Sequence, residues 1–168
     1  MSYLKSKIFT KNTFNMISNI TKDIHQNGIN IYKSTMASNP QFLMLDIETD
    51  IKCNKIDNII KTYNNIDLND ALGNSEYDSK KCNLKNIKIS CADKTGIIHE
   101  SCIIFKDMNI NVLNFNSDSC SAPFTLSKLF NLDINIRVPE EIKNKDIITN
   151  MQTFIDKYNV EFKISDLN

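Results

Sequence analysis

An internal repeat constrains this chain more than any other feature. Gly28-Ile29-Asn30-Ile31 and Asn109-Ile110-Asn111-Val112 lie 81 positions apart, each after a helical pattern and each opening an extended run. A chain of 168 residues made of two copies has to fold as two small units of one plan. Units of that size bury little apolar surface alone, so pairing with a neighbour is expected to stabilise them.

The second copy has the clearer pattern. Residues 84–91 alternate, with Ile87, Ile89 and Cys91 on one face, and predict a short strand. Asp93-Lys94-Thr95-Gly96 is a turn, after which Ile97, Ile98, Ser101, Phe105 and Met108 share one face of a helix. Residues 109–117 predict a second strand, and Cys120-Ser121-Ala122-Pro123 a loop. The longest alternation follows: Phe130, Leu132, Ile134, Ile136 and Val138 are apolar, with polar residues between them. That is a strand with one buried face, ended by Pro139. Ile147, Ile148, Met151, Phe154, Ile155 and Tyr158 mark a second amphipathic helix, and Val160, Phe162 and Ile164 a last strand. The order is βαββαβ.

The first copy repeats this order more loosely. Residues 4–10 predict a strand, and Met16, Ile17, Ile20 and Ile24 a helical face that Gly28 caps, since glycine takes a positive φ without penalty. Residues 29–37 and 41–48 predict paired strands turned at Ser38-Asn39-Pro40. Ile56, Ile59, Ile60 and Tyr63 form a helix stripe, and Ile66 and Leu68 a short last strand. The predicted division is a first unit at 1–71, a polar linker at 72–83 and a second unit at 84–168. The fold class is α+β: two ferredoxin-like βαββαβ units, each an antiparallel sheet with both helices on one face.

Charge narrows the function. Twenty basic residues balance twenty acidic ones, so the long-range field that draws proteins to nucleic acid or anionic membranes is absent. Arg137 is the lone arginine, and arginine is the preferred residue for bidentate contacts to bases and phosphates. Direct nucleic-acid binding is therefore not expected, nor is a membrane span, because no apolar run is long enough. Asn, Ile and Lys are abundant in the manner of an AT-rich genome, so an asparagine carries meaning only through its position. Cys53, Cys82, Cys91, Cys102 and Cys120 form no CxxC pair; with no secretory leader in the sequence, they read as reduced thiols in a cytoplasmic protein.

The turn of the second copy is the candidate site. Gly96 permits close backbone approach, and free N–H groups at a helix start receive a carboxylate. Asp93 can bind a ligand's ammonium group, and Asn111 offers a donor and an acceptor. On physics alone a structural reading competes and is favoured: Asp93 as a helix N-cap, Gly96 as a helix-start residue, Asn111 as an edge-strand polar group.

The stretch Cys91-Ala92-Asp93-Lys94-Thr95-Gly96-Ile97-Ile98, followed by Asn109-Ile110-Asn111, resembles the ACT domain pattern of strand, D-x-x-G-[IL], helix and N-I. The long strand ending Arg137-Val138-Pro139-Glu140 before a helix and last strand is similar to tandem ACT proteins of the glycine cleavage system transcriptional repressor type. The resemblance implies an amino-acid-responsive regulatory protein that binds a free amino acid, glycine among the candidates, at an interface between units. By resemblance the ligand contacts are Asp93, Gly96, Ile97 and Asn111, with Asn30 the matching strand asparagine of the first copy. It also implies action through a partner transcription factor or enzyme, and allows a homodimer. The first copy departs from the pattern: its turn, Lys11-Asn12-Thr13-Phe14-Asn15, has neither glycine nor aspartate, and is expected to serve mainly in packing. In the second turn Thr95 replaces the proline common in the family.

An enzyme is not expected. No P-loop, dinucleotide fingerprint or GxSxG occurs. His99-Glu100 is not followed by a second histidine at zinc-protease spacing, and His99, Cys102 and Cys91 match no standard zinc set. Neither cofactor nor metal is expected. The alternatives are a ligand-free interaction module and a regulatory subunit of a separate metabolic enzyme.

Overall fold

Period-two alternation and apolar stripes at helical spacing translate almost directly into elements. The computed structural model describes residues 3–50, 55–64, 81–121 and 127–167. Its strands are β1 (Tyr3–Lys11), β2 (Ile31–Ser38), β3 (Phe42–Asp50), β4 (Cys82–Ala92), β5 (Asn111–Ser121), β6 (Lys128–Pro139) and β7 (Glu161–Asp166). Its helices are α1 (Met16–Gln26), α2 (Lys55–Tyr63), α3 (Ile97–Asp107) and α4 (Asn144–Tyr158). The strand expected at Ile66 and Leu68, and positions 72–80 of the expected linker, lie outside the described residues. The strand β4 begins at Cys82, two residues inside that linker. Cys120 and Ser121, expected in a loop, close β5 and pair with Leu129 and Lys128.

The strands form one 7-stranded antiparallel sheet in the order β1-β3-β2-β5-β6-β4-β7. From its centre outward, β2-β3-β1 on one side matches β5-β6-β4 on the other, with β7 completing the second unit's βαββαβ order. The central pairing is twofold. Thr35 faces Asn116, its own equivalent in the repeat, and Lys33↔Asp118 is mirrored by Ala37↔Asn114. A bulge sits at the same place in both copies, with Tyr32 extra in β2 and Leu113 extra in β5. The extra residue reverses the side-chain phase, so buried Ile29 is followed by buried Ser34 and Met36 in the first copy.

The helices cover one face of this sheet. α1 packs on α3 across the twofold axis, with α2 and α4 outside them. The core beneath includes Ile8, Met36, Leu45 and Ile47 from the first unit and Ile87, Phe115, Ile134 and Ile136 from the second. Beside the axis the buried hydroxyls of Ser34 and Ser117 are 2.6 Å apart, where the equivalent pair on the other side is Met36 and Phe115. The opposite face is mostly polar, with Phe9 stacked on Phe42 toward the β1 edge. Asn86 donates to Asp133 (2.5 Å) and to Asn135 (2.8 Å), Asn135 donates to Asn114 (2.9 Å), and Lys5–Glu48 and Lys88–Asp133 pair across strands.

The helix ends show how the repeat motif acts. Gly28, at φ +69, follows α1; its N–H bonds to the His25 carbonyl and that of Ile29 to the Ile24 carbonyl. Asn109, at φ +55, does the same after α3, with bonds from Asn109 to Lys106 and from Ile110 to Phe105. These are paired Schellman closures, in which a left-handed residue satisfies the last carbonyls of a helix. Residues expected to open the strands, Ile29 and Asn30 or Asn109 and Ile110, therefore belong to the turn before them.

Candidate functional site

A crevice opens at one end of the α1–α3 seam. Its walls come from both units: His25 of α1 and Asn30 and Ile31 at the start of β2, then Gly96, Ile97 and His99 from the turn and first winding of α3. Its free volume is about 20 Å³, room for little more than one water.

The local structure follows from Gly96. It is the N-cap of α3 at φ +95, a conformation that L side chains rarely adopt, and it brings no capping side chain to the first amides of the helix. A Cβ at Gly96 would lie 2.8 Å from Cε1 of His25, so the imidazole lies against the glycine backbone in space a side chain would take. His25 also stacks on His99, ring centroids 5.3 Å apart.

Asp93 does not cap α3, which corrects the structural reading of that residue. Its N–H bonds to the Lys128 carbonyl at 2.9 Å, and its Oδ1 is buried without a hydrogen-bond partner. Nδ1 of His25 and Nδ1 of His99 are likewise buried and unpartnered, and His99 as a whole is only 9% exposed. Unmatched buried polar atoms are uncommon, because each forfeits its hydration. Burial, and after it the neighbouring His25, holds the His99 imidazole below its usual pKa.

Glu100 extends the polar group toward α4. Its Oε1 accepts from Lys157 (2.6 Å) and from the Tyr158 hydroxyl (2.7 Å). Burial pushes its carboxyl up, but those two hydrogen bonds together with nearby positive charge, Lys157 first, outweigh burial and leave it below the ordinary carboxylate value. The cysteines nearby are inert: burial pushes Cys91 up to about 11 and Cys102 up to about 12. Among the described residues no group of three or more His, Cys, Asp and Glu side chains is placed to hold a metal.

The candidate residues thus separate. Gly96, Ile97 and Asn30 line the crevice together, and Asp93 immediately precedes lining residue Lys94 in the same turn. Asn111 stands at the other end of the seam, at the start of β5 opposite Arg137. The second strand that meets the Gly96 turn belongs to the other unit, since β2 and β5 run antiparallel at the centre. Along the sequence His99 stands only as a failed zinc motif, and nothing there joins it to His25. Their meeting was not legible, because it depends on α1 packing on α3.

No family model matches the sequence, and no curated protein sequence matches it. Solved structures share its fold. Aspartate kinase from Synechocystis superposes with a TM-score of 0.64 at 13% identity over 96% of this chain, which spans 28% of the kinase's length. An unknown protein from Galdieria sulphuraria gives 0.51 at 11% identity, covering 98% of this chain and 97% of that one. A chain proposed to be a glycine cleavage system transcriptional repressor gives 0.45 at 13% identity, covering 99% of this chain and 97% of that one. At these identities the two likenesses with TM-scores above 0.5 speak to fold alone.

Proposed function

We propose, from the tandem ACT fold that this chain adopts, that it is an amino-acid-responsive regulatory protein rather than an enzyme, with a first unit at 1–71 and a second that opens with β4 at Cys82. The reading rests on one observation: a crevice walled by both units, with the buried, unpartnered Nδ1 of lining residue His99 and, one residue before lining residue Lys94, the buried, unpartnered Oδ1 of Asp93. A free amino acid matches these groups. Its ammonium neutralises the Asp93 carboxylate, its carboxylate faces the uncapped first amides of α3, and the Asn30 amide reaches it from the other unit. A ligand held by both units favours whichever arrangement of them suits it best, and so shifts the population of a partner-binding form.

The signal then passes to a protein, a transcription factor in the manner of the glycine cleavage repressors or a metabolic enzyme. Balanced charge and a single arginine support action through such a partner over direct contact with nucleic acid. No helix among the described residues is long and apolar enough to cross a membrane.

A thermal-shift screen over the proteinogenic amino acids, glycine first, tests the reading. A ligand at 100 times its Kd stabilises by about 2.7 kcal/mol. Asp93→Ala and Asn30→Ala are each expected to remove the shift. No shift with any amino acid would leave the ligand-free interaction module.

A further inference from the structure

We propose that His25 is a gate, its imidazole closing the crevice in the ligand-free protein and leaving it when ligand enters. The inference rests on the ligand reading above and adds the residue that controls entry. Three observations carry it. The ring lies so close to Gly96 that a Cβ there would stand 2.8 Å from Cε1. The volume left beside it, about 20 Å³, is too small for even the smallest amino acid, which needs roughly the space of several waters. Nδ1 of the ring is buried with no partner, so this position leaves unmade a hydrogen bond that water would supply on leaving.

His25 is well placed to move. It lies in the last turn of α1 beside the Asn27–Gly28 closure, so a change of its side-chain torsions needs no change in the helix. Its departure bares the Gly96 backbone and the face of the His99 ring stacked on it at once. Because the gate belongs to the first unit and the turn it covers to the second, opening alters the contact between units directly. A site whose binding-competent form is rare binds with an affinity lowered by that fraction, and a variant without the gate recovers it.

The test compares wild type, His25→Ala and His25→Phe by equilibrium dialysis of each proteinogenic amino acid, with thermal shift in parallel. The expected order is His25→Ala tightest, about tenfold tighter than wild type, and His25→Phe weakest, because phenylalanine fills the crevice without a nitrogen to hydrate. Equal affinity in all three overturns the gate while leaving the ligand reading intact. Weaker binding by His25→Ala than by wild type also overturns it, and makes His25 a ligand contact. No binding by any of the three overturns both.

Discussion

The two ends of the α1–α3 seam are built from equivalent residues and have diverged in chemistry. An 81-residue shift carries Asp93 onto Asn12, Gly96 onto Asn15 and Asn30 onto Asn111; it carries His25 onto Lys106 and His99 onto Ser18. At one end a glycine at φ +95 admits an imidazole against its backbone, and Asp93 Oδ1 is left without a partner. At the other, Asn15 sits at φ −109, Asn12 donates its amide to the Asn39 carbonyl at 2.5 Å, and Phe14 stands 49% exposed. Asn15 Oδ1 is also buried and unpartnered, so an unmatched atom alone does not distinguish the ends. What does is the coincidence of a bare backbone, a carboxylate and two imidazoles. A twofold scaffold preserves packing at both ends while leaving each turn free to carry its own side chains.

The sharpest way to break this comparison is to put the same side chain in both turns. Gly96→Val adds backbone strain at φ +95, with the His25 ring free to turn aside, and is expected to cost about 1–3 kcal/mol, whereas Asn15→Val, at a negative φ, is expected to cost under about 1 kcal/mol. Urea unfolding of both variants checks this, and equal costs would erase the distinction between the turns. The next effect tests a place where the halves differ: Ser34 faces Ser117 on one side of the axis, where the equivalent positions on the other side pair Met36 with Phe115. Ser34→Ala orphans the buried Ser117 hydroxyl and is expected to cost about 1–3 kcal/mol, while Ser34→Ala with Ser117→Ala recovers most of it. An additive double variant would mean the pair does not couple.

A smaller contrast lies at the helix closures. A Cβ on Gly28 would have open space around it, so Gly28→Ala reports the cost of its positive φ alone, about 1–2 kcal/mol. Its equivalent Asn109 tolerates that conformation, and Asn109→Gly is expected to change stability by under about 1 kcal/mol.

The last contrast is in acid. Burial, then His25 and Lys22, lower the His99 pKa, with Glu100 opposing in part. The folded protein therefore takes up this proton at lower pH than the unfolded chain, which titrates near about 6.5. Stability from neutral His99 is complete above that value and is lost as pH falls through the folded one. The urea midpoint of wild type is expected to drop between about pH 7 and 5 more steeply than that of His99→Gln. Equal slopes would assign the acid limb to other groups.

Much of this was legible along the chain. The alternation from Phe130 to Val138 gave β6 its buried face, and the stripe from Ile147 to Tyr158 gave α4. Apolar period is a local property that survives into the fold. Boundaries were less legible where one residue interrupts the period. The bulges at Tyr32 and Leu113 reverse the phase inside β2 and β5, and the opening residues of both expected strands became helix closures. Of the candidate site, the Asp93–Gly96 turn and Asn30 could be named, because a glycine before a helix and a repeated asparagine carry their own signal. That Asn30 and not Asn111 meets Gly96 is a fact of pairing between distant strands.

The sequence by itself determined the repeat, the α+β class and the helix and strand faces, since each follows from residues within a few positions of one another. Only the tertiary structure decided that β2 and β5 join edge to edge, and that α1 brings His25 onto Gly96 and His99. Residues more than 70 positions apart meet there through the packing of two surfaces, and no local period records which surface a helix will face.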